Sequence, residues 1–442
     1  MNFKPSLYKL SNGLTVILDP MEAASTKVIV AFDTGSRDEK PSEYGITHFC
    51  EHMLCKGTKR FPNYNAIRDY ISNNSGIWNA STSDNTLQLY GRIYSDGAPV
   101  LLDVFSDLLQ HSLFEDDVIE KEKTIILDEL RRDQDNLNKK IQEVINNRFF
   151  GGKYPTYRTL GTEENIKSFN RKRLKMFLGR RLSSKNCVIC VSGKIKDKDS
   201  LLKYIEDKYS FLKPFEVSKN IDKVPYIPGA AHYSIKRNKN IGIFIAFPEL
   251  YKYKEENIFK RMCVKRFEDW LRYKLYNVLR YENGLVYDVN YNYIGPKEQV
   301  LNSFGTTSIP ENLEKVVSLM AKTVNDVYTK EHITADFLRM NNKMAKLGDA
   351  DFLESNEKRA SRLVSRYLDL GILYDYDNII KMSNDITPED VIRYSRGYFD
   401  GPVSIFTNGA DYNIDLMKVW NENIGDLSKQ SSIIITKDDR WR

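Results

Sequence analysis

At 442 residues the chain is long enough for two or three domains, each with its own core. A hydrophobic fraction of 41% and an aromatic fraction of 12% suit a globular chain, and no apolar run nears the roughly 20 residues of a membrane span, so no membrane partner is expected. The formal charge of +6 comes from 66 basic and 60 acidic residues interleaved along the chain, without the basic stripe that nucleic acid requires.

The opening residues carry neither signal-peptide nor transit-peptide features, which makes the cytoplasm the expected compartment. Residues 8–17 read as a hairpin about Asn12-Gly13, and 27–32 as a strand. A helix should begin near Gly45, followed by strands at 77–82 and 86–90 and by long helices at 100–111 and 116–147. Residues 166–178 then read as a helix leading into an apolar strand, 187–193, that stops at Gly193.

Five cysteines, Cys50, Cys55, Cys187, Cys190 and Cys263, lack the spacing of a disulfide framework and are expected to be thiols. Cys187 and Cys190 form a C-x-x-C, but it lies within a strand and has no second pair to complete a four-sulfur zinc site.

The chain repeats itself. Val28-Ile29-Val30-Ala31-Phe32 is echoed by Ile243-Phe244-Ile245-Ala246-Phe247, at an offset of 247 − 32 = 215. The helix and strand ending at Gly193 are echoed by a helix-like stretch, 391–399, and a strand ending at Gly409, at 409 − 193 = 216. Two tandem domains of similar α+β architecture follow, each a mainly antiparallel sheet packed with helices. The division is 1–212 and 231–442, about a linker at 213–230 that holds Pro214, Pro225 and Pro228.

The chemistry concentrates in Gly45-Ile46-Thr47-His48-Phe49-Cys50-Glu51-His52. On a helix, His48 and His52 stand at i and i+4, about 6 Å apart on one face, and Glu51 shares that face. Two imidazoles so placed can bind zinc, and a carboxylate beside the metal's open position can take a proton from water. A third ligand is needed. Glu122 and Glu129, 129 − 122 = 7 positions apart, lie on one face of the helix over 116–147, where the apolar run Ile125, Ile126 and Leu127 predicts a buried side.

His48-x-x-Glu51-His52 is similar to the inverted H-x-x-E-H signature of the pitrilysin/insulinase family of zinc metallopeptidases. Gly35-Ser36-Arg37-Asp38-Glu39, Lys56-Gly57-Thr58 and Asn79-Ala80-Ser81-Thr82 extend the likeness, within the branch that contains mitochondrial processing peptidase. The resemblance implies a zinc metalloendopeptidase in which His48, His52 and Glu129 bind zinc, Glu51 is the base acting on zinc-bound water, and Glu122 supports a histidine from behind. It also implies that an extended peptide adds to a sheet edge at Asn79, Ala80 and Ser81. Leu279-Arg280-Tyr281-Glu282-Asn283-Gly284-Leu285-Val286-Tyr287 resembles the family's arginine/tyrosine motif, which assigns Arg280 and Tyr287 to the substrate backbone and the oxyanion. By its own pattern Tyr287 would instead alternate with Val289, Tyr291 and Tyr293 on one strand face. Two domains where larger relatives have four imply a homodimer that encloses a chamber. The competing reading is a non-catalytic peptide-binding or assembly subunit.

Overall fold

Gly13, at φ +85°, turns the chain back on itself, and Asn12 Oδ1 accepts the Leu14 amide at 3.1 Å, which joins β1 (Ser6–Lys9) to β2 (Thr15–Pro20). In this computed structural model residues 3–152, 159–219, 224–295, 299–329, 333–373 and 375–425 are described. The remaining strands are β3 (Ser25–Phe32), β4 (Gly76–Thr82), β5 (Leu87–Tyr94), β6 (Cys187–Gly193), β7 (Gly229–Ser234), β8 (Ile241–Pro248), β9 (Val289–Ile294), β10 (Leu301–Ser308) and β11 (Ser404–Gly409). The first helices are α1 (Ile46–Leu54), α2 (Tyr64–Asn73), α3 (Ala98–His111), α4 (Asp116–Asp135), α5 (Leu137–Phe149), α6 (Glu163–Ser168), α7 (Arg171–Arg181) and α8 (Lys198–Tyr209). They are followed by α9 (Ile258–Tyr276), α10 (Leu313–Thr329), α11 (Ala335–Glu354), α12 (Asn356–Leu370), α13 (Tyr376–Asp385), α14 (Pro388–Ser395) and α15 (Leu416–Ile424).

The strands form two sheets, ordered β1-β2-β6-β3-β5-β4 and β7-β11-β8-β10-β9. Without the β1 hairpin the two orders coincide, and in both the β2–β6 type of pair is parallel while the others are antiparallel. The repeat holds to the residue. Val28 faces Val191 in the first sheet and Ile243 faces Thr407 in the second, so 243 − 28 = 215 and 407 − 191 = 216 reproduce the sequence offsets. The α+β fold is therefore a duplicated one.

By compactness the chain divides into a first unit of residues 1–136, 157–222 and 347–376, and a second of 137–156, 223–346 and 377–442. Neither is a continuous stretch. In the first unit, Val16, Val28, Val30 and Leu89 face Leu101, Val104 and Phe105 of α3 and Ile205 of α8 on one side of the sheet. On the other side Ile17, Ile29, Ala31, Val188 and Cys190 are covered by Ala360, Leu363 and Val364 of α12, a helix from the second half of the sequence. Each Val, Ile or Leu among these contributes about 1.5–3 kcal/mol on burial. The second unit receives α5 in exchange, with Phe149 packed on Ala246, Leu301 and Phe406.

The seam of α12 is also ionic. Asp19 on β2, with no exposed side-chain surface, takes Arg359 Nε on Oδ2 at 2.7 Å and Arg359 Nη2 on Oδ1, and Ser192 Oγ donates to it at 2.6 Å.

Several sequence expectations are refined. The helix expected over 116–147 is two, because Asn136 adopts an extended backbone (φ −70°, ψ 121°) and α5 leaves for the other sheet. The 166–178 stretch is likewise split, with Asn170 capping α7 by accepting the Arg173 amide at 3.0 Å. The helix-like stretch at 391–399 stops at Ser395. Ile125 is 43% exposed although its neighbour Ile126 is fully buried. All five cysteines are free thiols, with Cys187 and Cys190 buried in β6. Among the described residues, no helix is long and apolar enough to cross a membrane.

Candidate metal centre

Helix α1 is amphipathic in the sense the sequence requires. Ile46, Phe49, Cys50, Met53 and Leu54 are buried against Ile119, Ile126 and Leu130 of α4 and against Phe169, Leu174 and Phe177 around α7. That packing leaves His48, Glu51 and His52 on the remaining face and brings α4 alongside it. The α4 stripe Ile119, Glu122, Ile126 and Leu130 follows the 3.6-residue period, which drives Glu122 inward and leaves Glu129 at the rim.

The two glutamates that helical spacing could not tell apart are separated by this geometry. Glu129 Oε2 lies 3.8 Å from His48 Nε2 and 3.7 Å from His52 Nε2. Glu122 Oε2 instead meets the other ring nitrogen, His52 Nδ1, at 2.9 Å, and its Oε1 takes Lys56 Nζ at 2.7 Å. The two imidazole rings stand edge to face, 4.5 Å apart. Among the described residues, His48, His52 and Glu129 are the one group of three whose donor atoms, all within 4.8 Å of one another, could hold an ion.

This donor set fits zinc. Bonds of about 2.0–2.1 Å at tetrahedral angles set donor atoms ~3.4 Å apart, and the observed separations of 3.7 and 3.8 Å would close on an ion with small side-chain shifts. Burial, then the neighbouring His52, pushes His48 down to about 3, so its imidazole is neutral and free to donate a lone pair near pH 7. Burial alone would raise Glu122, but hydrogen bonds from His52 and Lys56 outweigh it and hold the carboxyl below its ordinary value. Cys50 and Cys55, close by on the chain, are pushed up by burial, and neither belongs to the group of three whose donor atoms converge.

Glu51 differs from both. Burial raises its proton affinity; Thr82 and His52 counteract this, while Glu129 adds to it. A carboxyl moved toward neutrality is the kind that takes and returns protons.

Asn79, Ala80 and Ser81 lie on β4, the terminal strand of the first sheet, with Asn79 exposed and Ala80 buried. In the second unit Arg280 sits in a wide helical turn, Asn277–Glu282, and donates to the Tyr287 carbonyl while its guanidinium stacks on the Tyr287 ring at 4.5 Å. Tyr287 precedes β9 by two residues and is 81% exposed, so the sheet-packing reading of its alternation does not hold. Lys56 is a residue whose role sequence reasoning missed; the available signal was a cation one helical turn beyond His52 (56 − 52 = 4).

At the repeat offset, α9 carries Cys263, Arg266 and Phe267 where α1 carries His48, Glu51 and His52 (263 − 48 = 215). The second unit thus repeats the fold without repeating the ligands.

The comparisons with known proteins place this architecture among the insulinase-type peptidases. Residues 15–163 match the model of the insulinase family of peptidases (M16), and residues 168–339 match that of the M16 inactive domain. The chain belongs to this pitrilysin/insulinase family, in the branch of mitochondrial processing peptidase. It is 32% identical over 218 residues to the mitochondrial-processing peptidase beta subunit of Dictyostelium discoideum, a match spanning 48% of this chain and 45% of that one. An uncharacterized zinc protease, YmxG, of Bacillus subtilis is 26% identical over 89% of this chain and 95% of its own length. Among solved structures, a protease from Helicobacter pylori superposes with TM-score 0.73 at 19% identity, covering 92% of this chain and 99% of that one. The first half of the periplasmic protease PqqL from Escherichia coli gives TM-score 0.78 at 17% identity, covering 96% and 97%. The chain is therefore a zinc-protease-like peptidase by family.

Proposed function

We propose that the chain is a zinc metalloendopeptidase that hydrolyses peptides or unfolded protein segments. The observation that carries this reading is the convergence of His48, His52 and Glu129 from two helices, with Glu51 on the same face of α1. Bound there, zinc would supply Lewis acidity to a water molecule and to the scissile carbonyl.

The chain's own groups then divide the work. Glu51 takes the proton from water and returns it to the leaving amine, a role supported by its raised proton affinity. Glu122 accepts a hydrogen bond from His52 Nδ1–H and so fixes the tautomer that presents Nε2. An extended peptide adds to the outer edge of β4, the terminal strand of its sheet among the described residues, at Asn79, Ala80 and Ser81 through main-chain hydrogen bonds, which gives broad sequence tolerance. Arg280 and Tyr287, held together by stacking, meet the substrate backbone and the developing oxyanion. The working assembly is a homodimer enclosing a chamber, located in the cytoplasm.

The test is Glu51→Gln in the full chain with unstructured peptides as substrates. Turnover is expected to fall by about 10²–10⁴-fold while zinc is retained. Undiminished turnover would remove Glu51 as the base. A zinc-loaded wild type that binds peptides but cleaves none would leave the non-catalytic subunit as the reading.

A further inference from the structure

Helix α1 has nine residues and supplies two of the three proposed ligands and the proposed base, yet it cannot cap its own start. The position before it is Gly45, at φ +91°, and a Cβ there would lie 2.6 Å from the Leu160 carbonyl oxygen and 2.7 Å from Gly161 Cα. The close crossing of the segment before α6 therefore demands glycine, and glycine has no side chain to offer the orphan amides of the first turn.

Those amides go elsewhere. Glu39 Oε2 accepts the Gly45 amide and Oε1 accepts the Thr47 amide, both at 2.8 Å, and Thr47 is the residue before His48. Glu39 is 1% exposed. Burial pushes its carboxyl up to about 8 against the pull of these bonds, a cost that an ordinary local serine or asparagine cap would avoid. Both oxygens of the Glu39 carboxyl act as acceptors here; an amide at the same place would turn its NH₂ toward one of the two donors. From the other side, Asn165 Nδ2 donates to the Pro41 carbonyl at 2.9 Å and to the Tyr44 carbonyl at 3.4 Å, so the approach to α1 is held at both ends.

We propose that Glu39 is a positioning residue for the metal centre: its two-amide grip on the start of α1 sets the direction in which His48, Glu51 and His52 face Glu129. This rests on the zinc reading above. Packing chooses the face that α1 presents, the anchored end refines its rotation and tilt, and small misplacement is enough to weaken a metal site.

The experiment compares full-length wild type, Glu39→Gln and Asp197→Ala. Asp197 also accepts two amides at the start of a helix, those of Asp199 and Ser200 at 3.0 and 3.1 Å, both on Oδ1 and both at α8 rather than α1. Zinc affinity is read by chelator competition, the stability of the metal-free protein by urea unfolding, and kcat and KM at saturating zinc with an unstructured peptide. Glu39→Gln should weaken zinc by about ten-fold or more and lower kcat with KM held, whereas Asp197→Ala should lower stability alone. Glu39→Asp keeps the carboxyl group and withdraws it by one methylene; as the milder variant it is read in the same way if Glu39→Gln fails to fold. Zinc affinity and kcat unchanged in both Glu39 variants would overturn the positioning role. A wild type that takes up no zinc would overturn the metal reading beneath it, a separate and recognisable result.

Discussion

The Asp19–Arg359 pair offers a sharp test of how α12 is held to the first sheet. Both side chains are nearly or fully excluded from solvent, at 0% and 2% exposure, and the guanidinium's remaining partners are the Leu353 carbonyl at 3.3 Å and the Phe3 ring at 4.7 Å. Truncating Asp19 to leucine strands a buried cation, which costs about 3–5 kcal/mol. Ser192 also loses its acceptor, adding roughly 1 kcal/mol. That is a large share of a typical domain stability of about 5–15 kcal/mol. Replacing both partners, as Asp19→Leu with Arg359→Met, removes the desolvation penalty of both ions, so the double variant should lie within about 1 kcal/mol of wild type or above it. Urea midpoints for the four proteins of this cycle give a coupling of at least ~2 kcal/mol if the reasoning holds. Single-variant losses under 1 kcal/mol that simply add in the double variant would refute it.

Two further outcomes follow from the same kind of accounting. Glu122→Gln leaves Lys56 without its counter-charge and His52 with a weaker acceptor, so zinc affinity should fall about 10–100-fold, measured by chelator competition; an unchanged affinity would deny Glu122 its role behind His52. Glu268, 3% exposed and bonded to Tyr398 at 2.9 Å, is raised to about 7, by burial first and against the pull of Tyr291, Lys265 and Tyr398. The folded chain therefore holds more protons than the unfolded one between pH 4.5 and 7, and stability falls by about 3 kcal/mol as pH rises across that window. Glu268→Gln should abolish this part of the slope, so the variant gains on wild type between pH 5 and pH 8 in urea titrations, and parallel pH profiles would count against it.

What the sequence makes legible is whatever depends on local period or local chemistry. His48, Glu51 and His52 declare themselves because i, i+3 and i+4 share a helix face whatever the helix packs on. The duplication is legible because sheet pairing preserves register, so the 215 and 216 offsets reappear as matched strand partners. Glu122 and Glu129 show the limit. Helical spacing makes them equivalent, and only the side from which α4 meets α1 turns one toward Nδ1 and the other toward both Nε2 atoms. The break at Asn136 has no proline or glycine to announce it, since it is made by α5 packing on the other sheet rather than by any local preference. Glu39 is visible only as part of the Gly35–Glu39 likeness; its partners lie six and eight positions on, beyond any capping-box pattern.

The traded helices bear on how this chain can be cut. A break in the proline-bearing stretch at 213–230 gives two fragments that look like complete repeats in sequence, but neither contains every layer of its own fold. The upstream fragment would bare Ile17, Ile29, Val188 and Cys190 to water, and the downstream fragment Ala246, Leu301 and Phe406. Each holds the lid that the other lacks, so the pair can become whole only by finding one another.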